Sequence, residues 1–432
     1  MEQGDRAAAQ RLRAPHLSSN LIYQLNNVSI AHPMQQYTDT IRERISRYTV
    51  PAEIKHLGLY LYFRPLSSGQ DTEVQMNGQK LLMLGSNNYL GLSTHPKVKE
   101  AAIAAIAKYG TGCAGSRFLN GTLDIHLECE EKLARFVGKE AALVYSTGFQ
   151  VNLGVLPALA SRSDFLILDK LDHASIVDGA RMSFSRVIRY RHNDMQNLEE
   201  ILRSLPPEKS KLIVVDGVFS MDGDLADLPA IVALAEAHCG VVMVDDAHGL
   251  GVIGPQGRGT AAHFGLTDRV DLTMGTFSKS LASVGGFIAS DAETIEYLKH
   301  QSRSLIFSAS IPPANVATVM AALEIVLSEP ERIQRLWDNA HRLSAGLKAM
   351  GFDLGRSCTP ILPVCIGDDR LCFKFCRLLQ DEGIFVNPVV TPGVEPGNAL
   401  LRVSLMATHT FAQIDFALEK FEKVGRQTGL VH

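Results

Sequence analysis

Five short polar runs hold the residues of this sequence best suited to covalent chemistry, and each directly follows an apolar run. They are Ser146-Thr147-Gly148-Phe149, Asp172-His173, Ser220, Asp245-Asp246-Ala247-His248 and Thr276-Phe277-Ser278-Lys279. Lys279 comes first. A lysine held in a desolvated pocket loses its charge more readily and can form a Schiff base with an aldehyde. Thr276 and Ser278 add neighbouring hydroxyls suited to a phosphate, so these residue types fit a phosphorylated aldehyde cofactor. A solvated surface lysine is the competing reading.

Asp245 ends the apolar run VVMVD, where an unpaired carboxylate would be costly. A protonated ring nitrogen would satisfy it, and keeping that nitrogen protonated makes the ring an electron sink. His248, three residues on, could reach the ring's phenolic oxygen. A metal pair, or a helix N-cap for one of the two aspartates, competes with this reading. Against metal, no other Asp, Glu or His cluster supplies ligands at a recognisable spacing. His173 could stack its flat imidazole on a planar ring or simply cap a helix. Gly148 and Phe149 open a helix whose free N–H groups would suit a phosphate, with a tight turn as the alternative. The glycine-rich GTGCAGSRFLNGT (110–122) matches neither the P-loop nor a placed dinucleotide fingerprint and reads as a close-packed loop lining the site.

The apolar runs that must position these groups lie in AALVYSTG, DFLILD, KLIVVDGV, GVVMVDDAH, DLTMGTFSK and GGFIAS. Their Val/Ile/Leu content is nearly continuous rather than alternating, as in strands covered on both faces. Helical spacing lies between them, in HPKVKEAAIAAIAKYG, DIHLECEEKLARFVG and LADLPAIVALAEAHCG. This alternation predicts a large α/β domain with a mostly parallel sheet, whose ligands sit at the carboxyl ends of the strands. After about residue 329 long helices mix with short strands, predicting a smaller C-terminal α+β domain. The first fifty residues are polar and irregular, with one helix around residues 37–48. The expected divisions are an arm over 1–52, a segment over 53–98 that joins the small domain, the large domain over 99–329 and the small domain over 330–432.

Bulk properties exclude several classes. A chain of 432 residues can bury a large core, and its 46% hydrophobic and 20% charged residues are ordinary for a globular protein. A net charge of −4 gives no field that would gather nucleic acid. No apolar run is long enough to span a bilayer, and the N-terminus lacks the apolar stretch of a secretory signal. The seven cysteines are scattered without a C-x-x-C pair, and Cys372 and Cys376 fit packing thiols on a helix. A reducing, cytoplasmic compartment suits them.

With these motifs in hand, the sequence resembles the α-oxoamine synthase family of fold-type I pyridoxal-phosphate (PLP) enzymes. The resemblance runs from about Glu53 to Val424. It is carried by GSNNYLGL (85–92), GTGCAGSRFLNGT, STGF (146–149), DHASIVDG (172–179), GVFSMDGD (217–224), VDDAHG (244–249), GTFSKS (275–280) and LLRVSLMATHT (400–410). Serine on both sides of Lys279, and the segment AEIKHLGLYLYFRPL (52–66), resemble the branch that joins serine to a long-chain acyl thioester. A relative using glycine or alanine is the nearest alternative.

The resemblance implies a PLP-dependent decarboxylative condensation of L-serine with a long-chain acyl-CoA. It also implies a homodimer with active sites at the interface, and a lipid product for which peripheral contact at the inner face of the membrane would be suited. By the same resemblance, Lys279 carries the cofactor, Asp245 pairs with its ring nitrogen, and His248 contacts the ring oxygen with Ser220 assisting. His173 stacks on the ring and helps orient the substrate carboxylate, while Gly148, Phe149, Thr276 and Ser278 face the phosphate. Arg402 holds the substrate carboxylate, a role that from sequence alone competes with a surface ion pair. Asn88 lies near cofactor and serine, and Ser308 and Ser310 make contacts across the dimer. Two departures stand out: Asp216 replaces a common Glu, and Gly249 replaces a common Ser, which would widen the site or alter substrate preference.

Overall fold

The computed structural model describes residues 33–432. Residues 33–60 fall in a unit of their own, Met1–Tyr60, and form the helices Pro33–Ser46 and Val50–His56. The earlier part of the expected arm lies outside the described residues.

The second unit, Leu61–His432, contains thirteen strands. They are β1 (Glu73–Met76), β2 (Gln79–Met83), β3 (Ala141–Tyr145), β4 (Phe165–Asp169), β5 (Arg186–Tyr190), β6 (Lys211–Asp216), β7 (Gly240–Asp245), β8 (Leu272–Thr276), β9 (Gly286–Ser290), β10 (Ile361–Gly367), β11 (Ile384–Phe385), β12 (Asn387–Val389) and β13 (Ala399–Ser404). Seven of them form one sheet in the order β3-β9-β8-β7-β6-β4-β5. Its pairings are parallel except those of β9, which runs against both neighbours.

The continuous apolar runs have a direct explanation in this sheet. Leu166, Leu168 and Val214 join a core on one face, while Ile167, Ile213, Val215 and Val242 join a second core on the other. Alternate residues point to opposite faces, and both faces are buried, so neither set can be polar. β5 escaped sequence reading because it is an edge strand. Its run RVIRY exposes Arg186 and Arg189, and only Tyr190 is buried.

The C-terminal part builds the antiparallel sheet β10-β13-β12 and the long helices Glu331–Ala349, Asp369–Asp381 and Phe411–Thr428. Cys372 and Cys376 are buried on the middle helix as free thiols. β2 pairs in parallel with β11, and Gly85 bridges Ser404. These pairings bring the GSNNYLGL loop beside β13, the strand that carries Arg402.

Candidate active site

The carboxyl ends of β6, β7 and β8 surround a cavity of about 290 Å³, at the lower end of the roughly 300–1,000 Å³ typical of small-molecule sites. Its walls include Gly148, Phe149, His173, Ser220, Asp245, His248, Thr276, Ser278 and Lys279. The structure thus gathers nine of the expected residues on one space.

Desolvation lowers the Lys279 ammonium, Asp245 and Asp216 pull it back up and Arg402 adds a smaller downward push, which together bring it to about 8. Asp245 is buried at the end of β7. Its Oδ2 accepts from Asn152 Nδ2 at 2.8 Å and its Oδ1 from the Ala247 N–H at 3.2 Å. Asn152, which local spacing did not reveal, also donates to Ser175 Oγ at 2.8 Å. Ser175 Oγ therefore has its own hydrogen for His173 Nδ1, 2.7 Å away. The Ser175 N–H donates to the same nitrogen at 3.2 Å. Accepting twice at Nδ1, His173 carries its proton on Nε2. Desolvation lowers His173, Asp245 raises it, and Lys279 lowers it again. His173 is also the N-cap of the helix Ala174–Met182, so the capping and site readings hold together.

His248 is held neutral, well below the usual histidine range, by burial first and then by Lys279, Arg402 and His173. Its Nδ1 lies 2.8 Å from the Tyr89 hydroxyl. Arg402 Nη2 donates to that hydroxyl at 3.3 Å. A guanidinium only donates, and the hydroxyl's other acceptor contact, Asn87 Oδ1, is longer at 3.5 Å, so the tyrosine hydrogen goes to the nearer His248 Nδ1 and the histidine proton sits on Nε2.

Also on the cavity wall, Gly148 begins the helix Gly148–Leu159, capped by Thr147 Oγ1, which accepts from the Gln150 N–H at 3.1 Å. A Cβ on Gly148 would lie 2.6 Å from Thr276 Oγ1, so only glycine lets this helix start approach β8. Thr276 Oγ1 and Ser278 Oγ are 3.0 Å apart. The Thr276 hydroxyl donates to the Gly285 carbonyl at 3.1 Å, so first-turn N–H groups and the Ser278 hydroxyl beside it make the donor cradle for an anion. The residues fit PLP: an anion cradle, an amine of lowered charge and a buried carboxylate all face one cavity.

Two expected residues stand elsewhere. Asn88 is absent from the cavity wall, because its Oδ1 accepts from the Leu92 and Ser93 N–H groups and its Nδ2 donates to the Gln70 carbonyl. Its neighbour Asn87 instead accepts from Arg402 Nη1 at 2.8 Å. Arg402 is buried behind the cavity wall. Its Nε donates to the Ser220 carbonyl at 2.6 Å and its Nη1 also to Ser404 Oγ at 2.7 Å. With Tyr89, four of its five N–H groups are engaged, which leaves one on Nη2 rather than a two-point clamp. Gly249 does not widen the cavity. A Cβ there would lie 1.9 Å from Asp246 Oδ1, which is clamped by Thr260. Ser308 accepts from Gln150 Nε2 and Ser310 donates to the Gly115 carbonyl, both within the chain.

Comparisons with known proteins agree with this geometry. A model of the aminotransferase class I and II family matches residues 79–421. A serine palmitoyltransferase of Sphingobacterium spiritivorum is 57% identical over 387 residues, covering 90% of this chain and 97% of its own. An 8-amino-7-oxononanoate synthase of Thermosipho melanesiensis is 46% identical, covering 88% and 97%. A solved serine palmitoyltransferase with its PLP internal aldimine aligns at a TM-score of 0.86 and 38% identity, covering 92% of this chain and all of the other. The chain belongs to the aminotransferase class I and II family of fold-type I, PLP-dependent enzymes, and within it to the group that holds the serine palmitoyltransferases.

Proposed function

We propose that this protein condenses L-serine with palmitoyl-CoA or a similar long-chain thioester to give 3-oxosphinganine, CoA and CO2. The carrying observation is that Lys279, Asp245 and the Gly148 cradle line one cavity, in a chain 57% identical to a serine palmitoyltransferase. When bound, PLP supplies an electron sink for the substrate's Cα.

The chain's own residues do the rest. Gly148, Phe149, Thr276 and Ser278 would hold the phosphate, and Asp245 would accept from the ring N–H, kept oriented by Asn152. His248 offers Nε2–H as a donor to the ring oxygen. Lys279 Nζ, once neutral, removes the Cα proton, and positioning of that amine lowers the barrier. Serine Cα then bonds to the acyl carbonyl carbon as the thioester C–S bond breaks. Loss of the carboxylate as CO2 and return of a proton to Cα complete the balance. Arg402, through its remaining Nη2 hydrogen, and His173 would orient the carboxylate so that it does not leave early.

A homodimer fits the exposed Phe118, Leu119 and Phe307, and a cytoplasmic protein touching the inner membrane face would suit a lipid product. Among the described residues no helix is long and apolar enough to cross a membrane. The test is CoA release from palmitoyl-CoA with serine, glycine and alanine in parallel, with products weighed by mass spectrometry. Serine-dependent release with the mass of 3-oxosphinganine is expected. Release with glycine or alanine but not serine would overturn the proposal.

A further inference from the structure

A half-buried histidine between two buried carboxylates lies outside the reactive cavity. His192 follows β5, and its Nδ1 is 2.9 Å from Asp169 Oδ1 while its Nε2 is 3.0 Å from Asp224 Oδ2. An ionised carboxylate only accepts, so both ring nitrogens carry hydrogen and the ring is a cation. Burial pushes this imidazole down, but its hydrogen bonds and ion pairs with Asp169 and Asp224 outweigh that and raise it to about 9. With no ring lone pair left, the cluster cannot bind a metal. Among the described residues no group of three or more His, Cys, Asp and Glu is placed to do so.

What His192 grips is informative. Its ring packs edge-on against Phe219, with centroids 4.4 Å apart at 84°. Phe219 and Asp224 face each other inside one tight hairpin: the Phe219 N–H donates to the Asp224 carbonyl at 3.0 Å, and the Gly223 N–H to the Phe219 carbonyl at 2.9 Å. A Val218–Leu225 bridge closes its base. Asn193 Nδ2 adds donations to Asp224 Oδ2 at 3.3 Å and the Leu225 carbonyl at 2.9 Å. Next to Phe219, at the hairpin tip, the Ser220 carbonyl accepts from Arg402 Nε.

We propose that His192 is a positioning residue whose imidazolium clamps the hairpin of residues 217–225, so that the Ser220 carbonyl holds Arg402 in register for the amino-acid carboxylate. The proposal rests on the reaction assigned above. Removing one partner of a buried ion pair leaves the other uncompensated. In His192→Gln the amide can donate to only one of Asp169 and Asp224 well, and the hairpin loses a side of its support.

The PLP-loaded protein is assayed for serine KM, kcat and cofactor absorbance. His192→Gln is expected to raise serine KM about tenfold, which is about 1.4 kcal/mol, with kcat within about threefold of wild type. Cofactor absorbance stays that of wild type, because Lys279 and Asp245 are untouched. His192→Gln/Asp224→Asn, in which the two amides can pair without charge, is expected to recover most of the lost affinity. An unchanged KM in folded His192→Gln, loss of cofactor absorbance alongside affinity, or no recovery in the double variant overturns the proposal. If His192→Gln is insoluble, Asp224→Asn decides by the same KM criterion. If wild type accepts only glycine or alanine, the reaction assignment falls, and KM for that amino acid is read instead, since all share the carboxylate.

Discussion

Asn152 Nδ2 and Asp245 Oδ2 lie 2.8 Å apart, both side chains buried. The same amide reaches Ser175, and through it His173, so one asparagine holds both the Asp245 carboxylate and the His173 imidazole in place. Asn152→Leu keeps the volume and removes both donors. The uncompensated carboxylate is expected to cost about 1–3 kcal/mol of stability, seen as a lower urea midpoint with unchanged slope. PLP is expected to dissociate about tenfold more readily in equilibrium dialysis. Wild-type retention of PLP would mean that Asp245 needs no outside support.

Lys279 gives a pH prediction whose sign is fixed by its chemistry. Only the neutral amine attacks an aldehyde, and burial brings its midpoint down to about 8. At pH 7 about a tenth of the cofactor-free protein then has a neutral Lys279, against less than a thousandth for an ordinary lysine. The rate of PLP capture by apoprotein, followed by visible absorbance, is expected to rise about tenfold per pH unit below 8 and to level off above 9. A rise continuing unbroken past pH 10 would show an unperturbed lysine. Lys279→Ala is expected to show no capture absorbance at any pH and no product.

The strand-end residues were legible in sequence because a parallel sheet places all its carboxyl ends at one edge, so Lys279, Asp245, His248 and His173 could be found by the apolar runs before them. Networks that close across the chain were not. Arg402 meets Asn87 across 315 positions and the Ser220 carbonyl across 182, and no local spacing encodes such a contact. Asn87 and Asn88 show the limit most sharply. They are adjacent and chemically identical, and only the turn, in which Asn88 takes the Leu92 and Ser93 N–H groups, decides which one faces the arginine. His192 was hidden for the same reason, since Asp169 approaches it from the end of β4 and Asp224 from the hairpin of residues 217–225.

Gly249 separates a packing role from a specificity role. Asp246 accepts from both the N–H and the hydroxyl of Thr260 at 2.6 Å, so its carboxylate has little room to yield to a new Cβ. Gly249→Ser is expected to destabilise the fold by about 1–3 kcal/mol, as overpacking does, with a lowered thermal midpoint. The preference among acyl-CoA chain lengths and amino acids is expected to stay that of wild type. A shifted preference at unchanged stability would return this position to the substrate site.

Tyr89 is the hinge between the two halves of the site. Its hydroxyl accepts from Arg402 Nη2 and donates to His248 Nδ1, which fixes the histidine proton on Nε2. Tyr89→Phe keeps the buried ring but strands a donor on Arg402 and an acceptor on His248, each worth about 1–3 kcal/mol when unsatisfied. The imidazole is then free to take the other tautomer, in which Nε2 has no hydrogen for the ring oxygen. Cofactor absorbance is therefore expected to shift, as the spectrum reports on that oxygen. Serine KM should rise as well, because Arg402 loses its contact to the hydroxyl, and kcat/KM is expected to fall about tenfold or more. The paired readout matters. A purely structural tyrosine would lower stability and leave both spectrum and KM unmoved in the folded fraction, whereas a tautomer-setting tyrosine moves the spectrum even where the fold is intact.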